Sequence, residues 1–517
     1  MKKIILLISM TLFVTTMFAE QTVYYVSSTG DDMLNTGLSP ESPFQTIKKV
    51  FDIEVSPSIN NDILINVASG TYPQSIITPN LNRAVKVTIA GQSASTTFIQ
   101  NTGEFLNAST DNFRLFQLQP AENADLELIV KDVTIRNYGG TINNYAGCVV
   151  MMNGSGTGIK VDFTRCAFKN NTACRAAILQ SSNGTYEVSF NSCYFENCKS
   201  FQYGTTTANS TSTNLDALIY ITAGKLTVKN CIFNANKKDP LNSLGADRNF
   251  KKGLLMNIYP QHAKVTAIIV NNTIVNNKVE SGKDVAVSIM PAISIMNHAN
   301  GVDLTMLNNL FVENGRNGFN NDVDLYIDPV YVSKVAVAGN VLNKITTTDA
   351  SEFLTTTTNS ISSAYTCSSS EIDFDMEAGL PKVYLANNGI NYVLAKGDSI
   401  VGGGISNDAN SEVPIVDIRE STRKSAPDIG ATDIYISGTL LNSQKAESVK
   451  IYTEGKALIA RCDDGTGFSI KVSDITGRQL YASYVSSEFC SKVFNWTGIL
   501  LVTIESKQGI VNRKVIL

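Results

Sequence analysis

The chain of 517 residues is poor in charge and in histidine. Charged residues make up 17% of it, and its two histidines, His262 and His298, each lie beside a turn between predicted strands. The formal net charge of −4 gives no electrostatic basis for binding nucleic acid. A zinc site is not indicated either, because the cysteines described below come one per repeat and no histidine shares their position. We therefore predict no metal site and no nucleic-acid partner.

Long apolar segments are missing after the first 20 residues. The opening, MKKIILLISMTLFVTTMFAEQ, combines two lysines, an apolar run and the small residue Ala19, which is typical of a secretory signal peptide cut near Ala19–Glu20. The alternative is an uncleaved membrane anchor. We expect residues 1–19 to be removed and the mature chain, without a transmembrane helix, to be secreted or attached to the outer cell surface.

Long charged helical stretches are also missing, whereas Asn, Thr, Ser and Val are plentiful. This composition favours strands and turns over helices. With 43% hydrophobic residues, the chain can bury a large core and is not disordered.

One short pattern recurs: CAFKNN, CYFENC and CIFNAN begin at Cys166, Cys193 and Cys231. Before each lie an apolar strand, a turn and an alternating strand, so the hexapeptide is the third strand of a longer unit. Further copies without the cysteine extend the unit from about residue 113 to 342. A repeat of three short strands with little helix predicts a parallel β-helix.

Positions two apart on a strand share a face, so each third strand should send two side chains inward. The cysteines are then interpreted as a buried apolar ladder. The predicted inward pairs are Val133/Ile135, Cys166/Phe168, Cys193/Phe195, Cys231/Phe233, Thr273/Val275 and Leu310/Val312. Asparagine tolerates the left-handed backbone that the following turn needs. The predicted turn residues are Asn137, Asn170, Asn197, Asn276 and Asn314, with Ala235 breaking the series.

From about residue 446 the pattern changes to alternating strands such as SVKIYT and GILLVTIES, which predict a small antiparallel β-sandwich. The predicted fold is all-β, with the parallel β-helix over 20–435, a linker at 436–445 and the sandwich over 446–517. Nine cysteines leave at least one unpaired. In the sandwich, Cys462 and Cys490 are either a disulfide or two free thiols.

The stretch YYVSSTGDDMLNTGLSPESPFQTIKKV (24–50) and the strand VKVTIAG (85–91) resemble the opening of bacterial right-handed β-helix proteins of the pectate-lyase-like superfamily. The resemblance covers roughly 22–435 and implies a right-handed parallel β-helix. SPFQTIKKVFDI is expected to be a short capping helix with Ser42 as N-cap and Pro43 in its first turn. The runs Phe168–Asn171 and Phe233–Asn236 are similar to the Phe-x-x-Asn repeats of polymorphic outer-membrane adhesins.

SAPDIGATDI (425–434) is similar to the closing segment of many β-helix proteins from the Bacteroidetes. VSDITGRQL (472–480), GILLVTI (498–504) and KVIL (514–517) resemble a type IX secretion (type A) sorting domain, although IYTEGK stands where that domain usually has Pro-Asn-Pro. This resemblance implies export by the type IX secretion machinery, followed by removal of the domain with anchoring or release.

The chain does not clearly present the groups that polysaccharide-cleaving β-helices need. Hydrolases of the polygalacturonase type combine paired aspartates with a His-Gly, but no His-Gly occurs here and Asp31-Asp32 precedes the coils. A polysaccharide lyase needs a Lys or Arg base and a group that neutralises the uronate carboxylate, often calcium on clustered acids. The insertion 234–253 supplies the bases for such a set. Asp322, Asp324 and Asp328 could supply oxygen ligands for calcium.

The longest insertions all leave the coil between a third strand and the next first strand, a face that solenoids often use for binding. The candidate ligand-binding residues in these loops are Tyr145, Phe201, Tyr203, Lys237, Lys238, Asp239, Arg248, Lys251, Lys252 and Arg316. In the alternative interpretation, the aromatics pack on the coils and the charges are solvated. We expect a non-catalytic, adhesin-like protein without a cofactor that binds glycans or cell surfaces. A polysaccharide lyase or another polysaccharide-degrading enzyme is the alternative.

Overall fold

The computed structural model describes the chain in runs separated by gaps. The described residues are 21–54, 61–74, 77, 84–101, 114–118, 125–139, 149–153, 157–174, 176–182, 184–201, 217–239, 253–279, 291–296, 298–312, 314–315, 324–327, 332–342, 345–347, 365–366, 373–374, 376–377, 380–381, 383–385, 391–393, 395–396, 404–425, 427–433, 449–454, 457–462, 468–474, 478–486, 489–494, 499–506 and 509–516. The chain divides into two compact units, Met1–Asp433 and Ile434–Leu517. The predicted signal peptide lies outside the described residues.

The first unit is a parallel β-solenoid with four sheets along it. Each complete coil contributes one strand to each sheet in a fixed order, by which we number the sheets. The first sheet contains Phe116–Leu118, Val150–Asn153, Ala176–Ser182, Ala217–Ile221, Met256–Ile258, Ile293–Ile295, Leu325–Ile327 and Ile345–Thr347. The second sheet contains Gln21–Val26, Asp62–Val67, Val85–Gly91, Leu126–Lys131, Thr157–Thr164, Thr185–Asn191, Gly224–Lys229, Val265–Val270, Val302–Leu307 and Val332–Ala338.

The remaining strands of this unit are shorter. The third sheet contains Gly70–Pro73, Thr97–Gln100, Thr134–Arg136, Ala167–Lys169, Tyr194–Glu196, Ile232–Asn234, Thr273–Val275, Leu310–Val312, Val341–Leu342 and Tyr365–Thr366. The fourth sheet contains Thr172–Cys174, Lys199–Phe201, Lys237–Asp239 and Lys278–Val279. Three antiparallel pairs follow: Asp373–Phe374 with Ala395–Lys396, Met376–Glu377 with Leu380–Pro381, and Val383–Leu385 with Asn391–Val393. Three strands per repeat were predicted, and the strand of the fourth sheet is an addition to them.

The second unit has two antiparallel sheets. One contains Val449–Glu454, Ala457–Cys462 and Phe489–Val493, and the other contains Gln479–Val485, Phe468–Asp474, Ile499–Ser506 and Gly509–Ile516. Side chains from both sheets, such as Leu458 and Val472, share one buried cluster. The predicted all-β fold, a parallel solenoid followed by antiparallel sheets, is therefore confirmed. Among the described residues, no helix is long and apolar enough to cross a membrane.

The solenoid has a continuous apolar interior, because alternate residues of each strand point inward. In Leu126–Lys131, for example, every second side chain is buried. Phe168, Phe195 and Phe233 stack along the axis, with ring centroids 4.8 and 4.3 Å apart. This confirms the predicted inward column of phenylalanines.

Buried asparagines form hydrogen-bonded ladders at two corners of the coils. Between the second and third sheets, Asn272 Nδ2 donates to Asn309 Oδ1 at 2.8 Å, and Asn309 Nδ2 donates to Asn340 Oδ1 at 2.8 Å. Each amide also hydrogen-bonds to the main chain. For example, Asn272 Nδ2 donates to Val228 O at 2.9 Å, and Asn272 Oδ1 accepts from Cys231 N at 2.8 Å. The ladder between the third and fourth sheets contains Asn236, Asn277 and Asn314.

The cysteines are members of the same ladders. Cys231 Sγ donates to Phe190 O at 3.3 Å, the residue that pairs with Val228 of the next coil. The thiol therefore makes the main-chain bond that the Asn272 amide makes one coil later. Cys198 holds the equivalent place in the second ladder and donates to Phe168 O at 3.4 Å. The predicted apolar cysteine ladder is thus a hydrogen-bonding ladder in which cysteine replaces asparagine.

Two of the predicted inward pairs are wrong by one position. Strand pairing aligns Phe233 with Ile274 and then Phe311, so Ile274 and Phe311 point inward. Thr273/Val275 and Leu310/Val312 lie on the outer face. The outer face is apolar as well, because a later segment of the chain buries it. Apolar alternation alone therefore predicted the wrong face.

The turn residues after the third strand adopt left-handed backbone, as predicted. Asn137, Asn170, Asn197 and Asn276 have φ between 50° and 61°. Ala235 shares this conformation (φ 54°), so the turn persists although the asparagine series is interrupted. Asn314 was assigned wrongly, since it is a member of the inner ladder.

The helix α1 spans Ile47–Glu54 at the N-terminal end of the solenoid. It begins later than predicted, because Thr46, and not Ser42, is its N-cap: Thr46 Oγ1 accepts from Lys49 N at 3.3 Å. Ser42 Oγ instead accepts from Thr36 N at 3.1 Å within the preceding loop. The buried face of the helix, including Ile47 and Phe51, packs on the solenoid core.

Residues 404–433, here called the C-terminal strap, cover the outer face of the third sheet. Ile418 and Ile429 of the strap share a buried cluster with Ile232 and Leu310 of the sheet. Outward side chains at the corner between the second and third sheets hold the strap by hydrogen bonds and an ion pair. These are Asn308 Nδ2 to Ile405 O at 2.8 Å, Asn230 Nδ2 to Val416 O at 2.7 Å, and Arg165 Nη1 to Glu420 Oε1 at 2.9 Å.

The Pro-Asp-Ile-Gly-Ala run (427–431) is the return part of this strap. Gly430 has φ 108°, and a Cβ there would lie 2.8 Å from Thr273 Oγ1. Ala431 N donates to that same oxygen at 3.0 Å. Glycine is therefore required by both the backbone and the close approach to the sheet.

Replacing Asn272 by alanine should lower the free energy of unfolding by about 2–4 kcal/mol, because a buried N–H and a buried carbonyl lose their partner. Thr305→Ala, on the half-exposed outer face of the second sheet, should cost less than about 0.5 kcal/mol. Urea unfolding followed by circular dichroism measures both. Equal losses would contradict a structural role for the ladder.

Replacing Arg423 by methionine should release the strap. Arg423 pairs with the buried carboxylate of Asp433, and removing one partner of a buried ion pair costs about 3–5 kcal/mol. We expect limited proteolysis to cut within 404–433 much faster in this variant. Glu420→Gln, which loses only an exposed ion pair, is the control and should behave as the original chain does.

Candidate functional site

The predicted binding corner lies between the fourth and first sheets. The chain segments 202–216, 240–252 and 280–290 each connect a strand of the fourth sheet to the next strand of the first sheet. These segments lie outside the described residues, but the strands that lead into them are described. The fourth sheet therefore marks one flank of the predicted corner.

A column of lysines runs along the fourth sheet. Strand pairing places Lys199 opposite Lys237, and Lys237 opposite Lys278. Neighbouring strands lie about 4.8 Å apart, so the main-chain positions of three lysines follow one another at that spacing, and each side chain is half-buried. Like charges directly opposite one another in a sheet are unfavourable. A column of this kind therefore favours the approach of anionic groups.

The second asparagine ladder holds these lysines in register. Each lysine directly follows a member of the ladder: Cys198 precedes Lys199, Asn236 precedes Lys237 and Asn277 precedes Lys278. The main-chain N–H groups of Lys199, Lys237 and Lys278 donate to the previous coil at 2.8–2.9 Å. The spacing of the three lysine positions along the sheet is thus fixed by the solenoid itself.

Lys238 does not lie on this surface. It belongs to an inward column with Ala173, Ser200 and Val279 and is fully buried, with its Nζ donating to Gly253 O at 3.3 Å. Its assignment to a solvated loop is therefore wrong. The alternation of the strand Lys237–Asp239 sends adjacent residues to opposite faces.

The other predicted site residues are only partly described. Phe201 and Asp239 end their strands in the fourth sheet. Tyr145, Tyr203, Arg248, Lys251, Lys252 and Arg316 lie outside the described residues. The structure thus brings Lys237 together with two residues that the sequence analysis did not select, Lys199 and Lys278. The signal for them was the repeated occurrence of lysine directly after the ladder position.

The outer face of the second sheet carries charges of alternating sign. Lys86 pairs with Glu127 at 3.3 Å, and Lys160 pairs with Glu187 at 3.7 Å. Both of these lysines have an acidic neighbour, so charges of the two signs alternate on this described part of the face. Lysines of the second sheet can therefore serve as a control for the lysines of the fourth sheet.

Basic and acidic side chains also cluster within the C-terminal strap. Arg423 contacts Asp433, Arg419 bonds to Asp417 at 2.6 Å, and Lys424 bonds to Asp428 at 3.4 Å. The three aspartates are fully buried. Burial raises the pKa of Asp433 and lowers that of Arg423, although their opposite charges act against both shifts. This cluster fastens the strap and leaves no room for a substrate.

The histidines and the paired aspartates have local structural roles. His262 is exposed in a turn, and His298 packs edge-on against Tyr259 with ring centroids 5.6 Å apart. Asp31 Oδ1 accepts from two main-chain N–H groups, which lowers its pKa. Asp32 accepts from Gln45 N and Thr46 N ahead of helix α1. These bonds tie the N-terminal loop to the helix.

The described residues contain no group of three or more His, Cys, Asp or Glu side chains that could hold a metal ion. Asp324 is buried at the start of a first-sheet strand. Asp322 and Asp328 lie outside the described residues. Two of the three predicted calcium ligands of a lyase therefore lie outside the part of the chain that the structure covers.

Comparisons with known proteins add no assignment: no protein-family model matches the chain, and no curated protein sequence matches it.

Four cysteines of the solenoid are free and buried: Cys166, Cys193, Cys198 and Cys231. Burial raises the pKa of Cys198 to about 12 and that of Cys166 and Cys193 well above its usual range. Thiolate is the reactive form, so these cysteines should resist alkylation.

We expect iodoacetamide at pH 8 to leave these four cysteines unmodified in the folded protein and to modify them fully in urea. Site-resolved mass spectrometry of the digested protein measures each thiol separately. The urea-unfolded sample is the control for reagent activity. Rapid labelling of Cys193 or Cys231 in the folded protein would contradict the ladder assignment.

Proposed function

We propose that the protein is secreted or held at the outer cell surface, where it binds acidic glycans without cleaving them. The observation that supports binding is the column of Lys199, Lys237 and Lys278. These residues lie at the flank from which the loops of the predicted binding corner depart. An acidic polysaccharide carries carboxylate or sulfate groups along its length. A row of lysine side chains matches that chemistry.

Binding is favoured over cleavage by the distribution of acids and bases. A lyase needs an accessible base beside a group that neutralises the uronate. Within the described residues, arginines cluster with several aspartates in the C-terminal strap. The aspartates of that cluster are buried, so it does not provide an accessible base. Strand pairing gathers three lysines at one place on the fourth sheet. This favours electrostatic binding.

Export is supported by the sequence alone. The first 19 residues have the pattern of a signal peptide, and the second unit resembles a type IX sorting domain. Both remain predictions, and so does the interaction with the type IX secretion machinery.

The lysine column can be tested with a triple variant, Lys199→Ala, Lys237→Ala and Lys278→Ala. The control variant, Lys86→Ala, Lys160→Ala and Lys225→Ala, removes the same number of charges from the second sheet. Binding to polygalacturonate, alginate and chondroitin sulfate is measured by affinity electrophoresis at two salt concentrations. We expect the first variant to bind about tenfold more weakly or worse and the control to change less than about twofold.

Equal losses in the two triple variants, or no binding by the original chain, would contradict the proposal. Absorbance of the same mixtures reports unsaturated uronate product. A rise in absorbance would overturn the non-catalytic part of the proposal and favour a polysaccharide lyase.

A further inference from the structure

A cleft of about 420 Å³ lies at the N-terminal end of the solenoid, away from the lysine column. It is lined by the first three strands of the second sheet and by the N-terminal loop, including Tyr25, Pro40, Pro43, Asn66, Ala68 and Ala90. Its volume falls within the range of roughly 300–1,000 Å³ typical of small-molecule sites. None of the lining residues is charged, so the cleft does not select for an ionic ligand.

Two polar side chains lie side by side on the floor of this cleft. Tyr25 and Asn66 are directly paired on adjacent strands of the second sheet, and Ala90 is the next residue of the column. Both side chains are half-buried. Within the described part of the chain, neither the Tyr25 hydroxyl nor the Asn66 amide hydrogen-bonds to another residue. One hydroxyl and one amide are therefore available to a ligand.

The opposite side of the cleft is held in place before any ligand arrives. Pro40 and Pro43 belong to a loop that is hydrogen-bonded to the first strand: Tyr25 N donates to Gly37 O at 2.8 Å, and Phe44 N donates to Tyr25 O at 2.9 Å. Asn35 Nδ2 also donates to Pro43 O at 2.7 Å. A preformed site loses less conformational freedom on binding, which favours affinity.

The cleft occupies the corner that the C-terminal strap fills elsewhere. The side-chain contacts of the strap along this corner run from Asn308 to Arg165. The cleft lies beyond them, at the coils of Ala68 and Gln92. The small residues Ala68 and Ala90 leave space there for an occupant.

We propose that this cleft binds a neutral sugar unit of an oligosaccharide. An aromatic ring and proline rings offer apolar faces for the C–H face of a pyranose, while the Tyr25 hydroxyl and the Asn66 amide supply the donors and acceptors that sugar hydroxyls require. The proposal rests on the glycan-binding function for the class of ligand. It uses different residues and an uncharged ligand.

The probes are the neutral oligosaccharides cellotetraose, xylotetraose, mannotetraose and maltotetraose, titrated into the full chain by isothermal titration calorimetry. We expect at least one to bind with a Kd below about 1 mM. Asn66→Ala and Tyr25→Ala should each weaken that binding by about tenfold or more. Tyr25→Phe, which keeps the ring, should retain more affinity than Tyr25→Ala. Thermal unfolding shows whether each variant is folded, and the conservative Tyr25→Phe keeps the test valid if Tyr25→Ala is not.

The lysine triple variant separates this proposal from the one above. Neutral-sugar binding should be unchanged in that variant, and binding to acidic polysaccharides should be unchanged in Asn66→Ala. If none of the four probes binds at 5 mM, or if binding does not respond to Asn66→Ala, the cleft proposal is wrong whatever the acidic polysaccharides do.

Discussion

At two corners of the solenoid the chain turns, and main-chain N–H and carbonyl groups there have no partner within the sheets. A buried side chain must hydrogen-bond to them instead. Asparagine does this with both ends of its amide. Asn272 accepts from Cys231 N and donates to Val228 O, both in the preceding coil, and it also donates to Asn309 Oδ1 of the next coil. Asn309 repeats the arrangement by accepting from Asn272 N and donating to Ile269 O. Since unsatisfied buried polar groups are costly, the ladders fix the register of successive coils. The phenylalanine stack, the outward turn residues and the lysine column all depend on that register.

The C-terminal strap shows how the solenoid uses its outer surface. The left-handed turn residues Asn230 and Asn308 point outward and bond to the strap, while apolar residues of the third sheet are buried beneath it. The same corner is open near Tyr25 and Asn66, where the strap's contacts do not reach. One corner of the fold thus provides both an internal docking surface and a cleft for a ligand. The lysine column lies at a different corner.

Much of the fold could be predicted because its causes are local. Alternating strands, left-handed asparagine turns and the repeat itself follow from residue type and spacing. The errors arose where burial depends on distant chain. Val275 and Leu310 were placed inward because they are apolar, but the strap covers them from outside. Lys237 was selected for its charge, whereas Lys199 and Lys278 became recognisable only once strand pairing aligned all three.

The sequence by itself determined the class of fold, the repeat, and the change to antiparallel strands near residue 446, because periodicity and turn propensity are properties of neighbouring residues. Only the tertiary structure decided which face of Thr273–Val275 is inside and that cysteine takes the place of asparagine in the ladders. It also decided that Lys238 is buried beside a half-buried column of lysines. Those facts depend on contacts between coils some 30–40 positions apart, such as Cys231 with Asn272, and no local pattern specifies them.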